Sequence, residues 1–257
     1  MALCLNNKRK GTMTALSKTH TRHDTVKQEL CLAYHILAHL GLDDHTYTHL
    51  SMRAPGGDSF YIYPFGLRFE EVHPGVLLRI SLAGDILEGH ELHYNQTGYI
   101  THKALYIARP DVQAIFHLHT PASVAVSATQ DGLLPLSQWA LHFYQRVRYH
   151  DYDALLLSDA QGEAMVRDMG QEHVLFMRHH GFVTTGRTAA EALFYTYHLE
   201  QACKTQCLAK GMNAPLRHLS KDVCTKANEV LLAFEKDLGR RDWQAWQRVL
   251  GHKINSQ

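Results

Sequence analysis

The 257 residues contain no long hydrophobic run, no excess of either charge, no paired cysteine framework and no repeat or low-complexity linker. Each absence removes a class of protein. Without a long apolar run there is no case for a membrane span, and an ordinary 45% hydrophobic and 20% charged composition leaves none for disorder or collagen. Lys and Arg total 26 against 25 Asp and Glu, so no basic field favours nucleic acid or an anionic membrane surface. The expected partner is a small molecule or another protein. Five cysteines, an odd number spread along the chain, do not make a secreted disulfide scaffold, and a reducing cytoplasm fits them best. Residues 1–23 hold no acid and no apolar stretch of signal-peptide length. They are basic, as transit peptides are, but lack an Arg-rich amphipathic stripe. A flexible tail over 1–23 ahead of one domain over 24–257 is the expectation.

What is present is a mixture of two periods. Val26, Leu30, Ala33, Leu37 and Leu40 recur at helical spacing from Asp24, and Gly41 follows where a helix commonly ends. TYTHLSMRA and SFYIYP are β-rich runs separated by Pro55-Gly56-Gly57-Asp58, which predicts a hairpin. VLLRISL and ILEG around Ala83-Gly84-Asp85 repeat the pattern. TGYITHKALYIAR has helical spacing up to Pro110, QAIFHLHT alternates as a strand, and SDAQGEAMVRDMG predicts a capped helix ended by Gly170. HVLFMR and FVTTG are two further strands; RTAAEALFYTYHLEQACKTQCLAKG is the longest helical pattern, and one more helix is predicted from Asp222 onward. Hairpins mixed with helices predict a mostly antiparallel sheet covered by helices.

The chain has 20 histidines, and three stand out. In Ile115-Phe116-His117-Leu118-His119 the period of two puts His117 and His119 on one face, with Phe116 and Leu118 on the other. Neutral imidazoles so placed suit Zn, Fe, Mn or Co. His179-His180-Gly181 lies between two strand-like runs, and one of this pair can supply a third ligand; His180 is preferred, with His179 at the surface or behind the site. His102, on the helix before the strand, is a candidate to act behind the ligands. Cys203 and Cys207 share a helical face and are read as buried thiols, and Trp243 and Trp246 as core or interface residues.

HLHT followed by TPASVAVSA, then RHHGFVTTG and AAEALFYTYHLEQAC, resembles the class II aldolase/adducin family from about Leu30 to Lys210. HLSMRAP, YPFGLRFEEV, NQTGYITHKALYIARPDVQAIFHLHT, GLLPLS and YHDYDALLL resemble its adducin-like branch. The resemblance implies a three-layer α/β/α sandwich around a mostly antiparallel sheet, commonly a homotetramer, with metal ligands at His117, His119 and His180. In the family's sugar-phosphate aldolases the metal polarises a hydroxy-carbonyl and stabilises an enediolate while a nearby Glu moves the proton. Counted back from Arg109-Pro110, the position of that Glu is Gly98 here, which carries no side chain. The family's phosphate-binding Gly-Asn pair corresponds to Thr48-His49, and its Thr-Gly turn to Phe65-Gly66. Ser51, Thr97 and the Gly66 backbone are then the candidates to hold a different anion. Glu71, with Glu70, is the candidate to replace the lost carboxylate, and His102 a second acid/base candidate.

Three functions are compatible with these residues. One is a metal-dependent lyase, aldolase-like or decarboxylating, acting on a small hydroxy- or oxo-acid or carbonyl compound through a metal-stabilised enolate, with Zn the first choice of metal. Another is an oligomeric scaffold without catalysis, like the adducin head. The last is an Fe-dependent oxygenase on the same histidines.

Overall fold

Helix α1 (Asn7–His39) opens the chain in the computed structural model, which describes residues 7–254, with side chains from Thr21 to Leu250. The helix thus begins at Asn7 rather than Asp24. Residues 7–23, expected ahead of the domain, continue the same helix; no proline interrupts the run, so nothing local stops the helix propagating backwards. The first six residues of the expected tail lie outside the described residues. At the other end Gly41 takes φ +64°, and Leu42 N–H donates to Leu37 O, closing the helix where the glycine marked it.

The chain continues through β1 (His49–Arg53), β2 (Ser59–Ile62), β3 (Leu78–Ser81), β4 (Ile86–Glu88), α2 (Gln96–Ala108), β5 (Ala114–Leu118), α3 (Pro121–Ser127) and α4 (Gln138–Leu141). It then forms β6 (Val147–His150), α5 (Asp159–Met169), β7 (Val174–Met177), β8 (Gly181–Gly186), α6 (Ala189–Gly211), α7 (Lys221–Phe234) and α8 (Arg240–Ile254). Local signals set most of the helix ends. Asn95 accepts from Thr97 N–H at the start of α2, Ser158 and Gln161 form a capping box on α5, and Thr188 accepts from Glu191 N–H on α6.

Among the described residues the eight strands join one sheet in the order β4-β3-β2-β1-β5-β8-β7-β6. Every pairing is antiparallel except β6 with β7. Helices α1 and α6 pack on one face, with α8 against both, while α2 and α5 pack together on the other, giving the α/β/α layering. Leu30, Tyr34, Leu50, Phe116, Phe176 and Phe182 are fully buried between the layers.

Besides α1, the short helices α3 and α4, the C-terminal tail and strand β6 differ from expectation. The tail from Asp222 is two helices, not one: Gly239 takes φ +82°, and a Cβ there would stand 2.6 Å from Ala190 O, so the chain turns closely over α6 before α8 begins. Strand β6 carries no clear alternation, because Val147, Arg148, Tyr149 and His150 lie at the sheet edge and none is fully buried.

Candidate metal centre

Strand β1 is central in the sheet and its register brings His49 opposite His117 on β5. Its entry is held from outside the ladder. Pairing with β2 stops at Ser51–Ile62, and there Tyr34 of α1 takes over: its hydroxyl donates to Leu50 O at 2.6 Å and accepts from Leu50 N–H at 2.9 Å. Tyr63 OH donates to Thr48 O at 2.7 Å and is also 2.9 Å from Thr46 O.

His117, His119 and His180 come together at the end of β5, with one ligand-capable atom of each within 4.8 Å of the others. Among the described residues no other group of three His, Cys, Asp or Glu does so. His117 is on β5 and His119 just past it. His180 lies in the β7–β8 hairpin, where its N–H donates to Met177 O. Gly181 is needed for close approach: a Cβ would stand 2.2 Å from Leu118 O, which no side chain tolerates. His179, exposed and at φ +61°, takes the left-handed position of the hairpin and does not join the cluster.

Second contacts determine which nitrogen of each ring faces the cluster. Phe182 O is 2.9 Å from His117 Nδ1, and a carbonyl only accepts, so that nitrogen carries the hydrogen. Asp44 Oδ2, 3.1 Å from His119 Nδ1, imposes the same tautomer there. The two Nε2 atoms are therefore bare, yet they lie 2.8 Å apart. Facing lone pairs repel, and a cation between them removes the repulsion. Burial reinforces this chemistry by pushing the pKa of His117 well below its ordinary value, of His119 below it, and of His180 down to about 4, so that the rings stay neutral near pH 7. Three neutral imidazoles backed by a carbonyl and a carboxylate fit a divalent metal.

The other expected site residues are arranged differently. Ser51 is fully buried and its hydroxyl is bonded to His102 and Tyr106, so it is not presented to a substrate. Thr97 bonds through N–H and Oγ1 to Asn95 and helps start α2. Glu71 is exposed and accepts from Arg68 N–H at 2.7 Å as part of a one-turn cap, while Glu70 pairs with Arg68. Gly66, at φ +102°, follows the half-exposed Phe65. His102 is fully buried behind His49, with Nε2 at 2.7 Å from His49 Nδ1, and burial pushes its pKa down to about 3. Cys203 is buried and Cys207 half-buried, as expected of packed thiols, and Trp243 is buried while Trp246 packs on His39.

Sequence reasoning placed His49 only in an altered phosphate turn and missed Asp44. His49 packs its ring 4.9 Å from that of His117, and a Cβ on Gly98 would stand 2.9 Å from His49 Cδ2. The His-x-Ser alternation of β1 was the available signal. Its meaning depended on a strand register the sequence does not state.

The model of the class II aldolase and adducin N-terminal domain matches residues 28–207. The chain belongs to this family. A solved aldolase II superfamily protein from Pseudomonas syringae is 36% identical, with a TM-score of 0.84 over 90% of this chain and 94% of that one. Alpha-adducin of Rattus norvegicus is 39% identical over 179 residues, which are 68% of this chain and 24% of adducin, so the chain spans about a quarter of that relative. L-fuculose 1-phosphate aldolase from Glaciozyma antarctica, at 23% identity and TM-score 0.78 over 92% and 94% of the two chains, shares the fold. No helix among the described residues is long and apolar enough to cross a membrane.

Proposed function

We propose that this member of the class II aldolase and adducin family is a metal-dependent lyase acting on a small hydroxy- or oxo-acid or carbonyl compound. The observation that carries the reading is the pair of bare Nε2 atoms of His117 and His119 held 2.8 Å apart beside His180. A divalent cation bound there, Zn in the first instance, supplies positive charge to a substrate oxygen as a carbon–carbon bond breaks. Phe182 O and the Asp44 carboxylate fix the rings, and the buried wall behind them keeps bulk water from one side. Likeness to a solved fuculose-phosphate aldolase supports the fold for such chemistry, while Phe65 in place of a phosphate-binding turn speaks for a substrate without phosphate. A homo-oligomer in the cytoplasm is part of this proposal.

Elemental analysis of purified protein against a His117→Ala/His119→Ala variant tests it. About one metal per chain, lost in the variant, together with carbon–carbon cleavage of hydroxy- or oxo-acids by the loaded protein, is the expected result. A second reading has its own observation: Gly98 has no carboxylate and His49 crowds the space above it, so the fold would serve as an adducin-like scaffold. A chain that takes up no metal on reconstitution supports that reading instead.

A further inference from the structure

Behind the triad runs a buried row of polar groups that the proposed lyase reading leaves without a role. His49 Nδ1 meets His102 Nε2, His102 Nδ1 is bonded to Ser51 Oγ, and Ser51 Oγ lies 2.8 Å from Tyr106 OH. Each of the four side chains is at most 3% exposed. The hydrogens in such a row cannot be placed independently, because each link needs one donor and one acceptor. Suppose Tyr106 donates to Ser51. Ser51 then donates to His102 Nδ1, His102 donates from Nε2 to His49 Nδ1, and the hydrogen of His49 must sit on Nε2. In the reverse order His49 donates from Nδ1 and the phenolic hydrogen of Tyr106 is left with no acceptor among the described residues. If Tyr106 and His102 both donate to Ser51, it is the serine hydrogen that is stranded. Every order leaves one hydrogen unused. The first is favoured because it leaves it on His49 Nε2, at the end of the row beside the triad where a bound ligand can accept it, whereas the others strand it on Ser51 or Tyr106 inside the closed row.

In that arrangement the only donor not used inside the row is His49 Nε2–H. The ring that carries it lies against His117, and a Cβ on Gly98 would be 3.0 Å from this nitrogen. The imidazole thus stands across the path that a side chain at position 98 would take. A carboxylate on that path would repel an anionic substrate oxygen, whereas an uncharged N–H attracts one. We infer that His49 is a substrate-binding residue, whose Nε2–H holds an oxygen of a small 2-hydroxy- or 2-oxo-carboxylate beside the triad. His102, Ser51 and Tyr106 are positioning residues that keep the hydrogen on that nitrogen. This rests on the reading of the triad as a metal centre.

The test combines tautomer and affinity on the full chain. Long-range ¹H–¹⁵N correlation on histidine-labelled protein, with and without Zn, is expected to show His49 protonated on Nε2, its signal assigned by loss in His49→Gln. Ser51→Ala is expected to shift that signal towards a mixture of tautomers, which a merely space-filling His49 would not do. Titration of Zn-loaded protein with glycolate is expected to show binding that weakens about tenfold or more in His49→Met and is largely kept in His49→Gln, whose amide still donates, with Zn content unchanged in both. A bare Nε2 on His49 overturns the inference. So does glycolate affinity that is absent in the wild-type chain or equal in His49→Met, and so does loss of Zn in His49→Met, which would make His49 a ligand. Failure of the metal reading looks different: the wild-type chain takes up no Zn, and the tautomer of the metal-free protein still decides where the hydrogen sits.

Discussion

Asp44 acts on the triad only through His119, and its effect is separable from that of a ligand. Removing it leaves three imidazoles in place but frees the ring of His119 to turn and to change tautomer. Asp44→Ala is therefore expected to weaken metal affinity about 10–100-fold without abolishing it, as measured by competition with a chromogenic chelator. Gly181 is the opposite kind of residue, important for what it lacks. With Leu118 O standing 2.2 Å from where a Cβ would go, Gly181→Ala must push β8 from β5 or distort the His180 turn. The expected outcome is a loss of about 3 kcal/mol in urea unfolding with a lowered midpoint, accompanied by reduced metal uptake. At this scale the sequence was legible where ligands are close in chain, as in His117-Leu118-His119. It was not legible where a partner is remote. Asp44 lies 75 residues from His119 and Phe182 lies 65 from His117, and neither residue type is unusual in its own neighbourhood.

Elements decide how firmly the site is carried. Strand β1 delivers His49 and Ser51 to one face, but its ladder with β2 ends at Ser51, so Leu50 relies on the Tyr34 hydroxyl of α1 for both backbone groups. Tyr34→Phe strands a buried N–H and a buried carbonyl at once. A loss of about 1–3 kcal/mol in denaturant unfolding is expected, with faster amide exchange at Leu50 as the local signature. Helices with capping residues at their starts, such as α2 and α5, were readable as far as their ends, because a cap is a local contact. Strand β6 escaped notice for the complementary reason. An edge strand with half-exposed polar residues gains its identity from β7, not from its own pattern. The backward extension of α1 to Asn7 was likewise unmarked, since its first turn has no acidic residue to announce a start.

Across the whole molecule, buried neutral histidines link folding to pH. Burial pushes the pKa of His102 down to about 3 and that of His198, packed against the Phe194 ring in α6, to about 4. In the unfolded chain both return to the ordinary value near 6.5. As pH falls below that value the unfolded state takes up protons that the folded state refuses, so stability is full above about pH 6.5 and is lost as pH falls towards the folded values. The slope is up to about 1.4 kcal/mol per pH unit for each such group. Urea unfolding of metal-free protein between pH 7 and pH 5 is expected to show this loss, and His198→Gln, remote from the triad, is expected to reduce the slope by one proton's share. A slope that does not change in the variant would mean that His198 titrates normally in the folded chain.

In the sequence alone, periodicity, caps and turns within single elements determined a mostly antiparallel sheet covered by helices, most of its helices and strands, and the placing of His117 and His119 on one face. The resemblance carried by several motifs implied the family, the three-layer sandwich and His180 as the third ligand. The tertiary structure decided the rest: the bare nitrogens of His117 and His119, the hydrogen-bonded row from Tyr106 to His49, and the imidazole standing over Gly98. Those features arise where β1, β5, α2 and the β7–β8 hairpin converge. Register and burial are set there by the packing of residues that are distant in chain, and no local pattern records them.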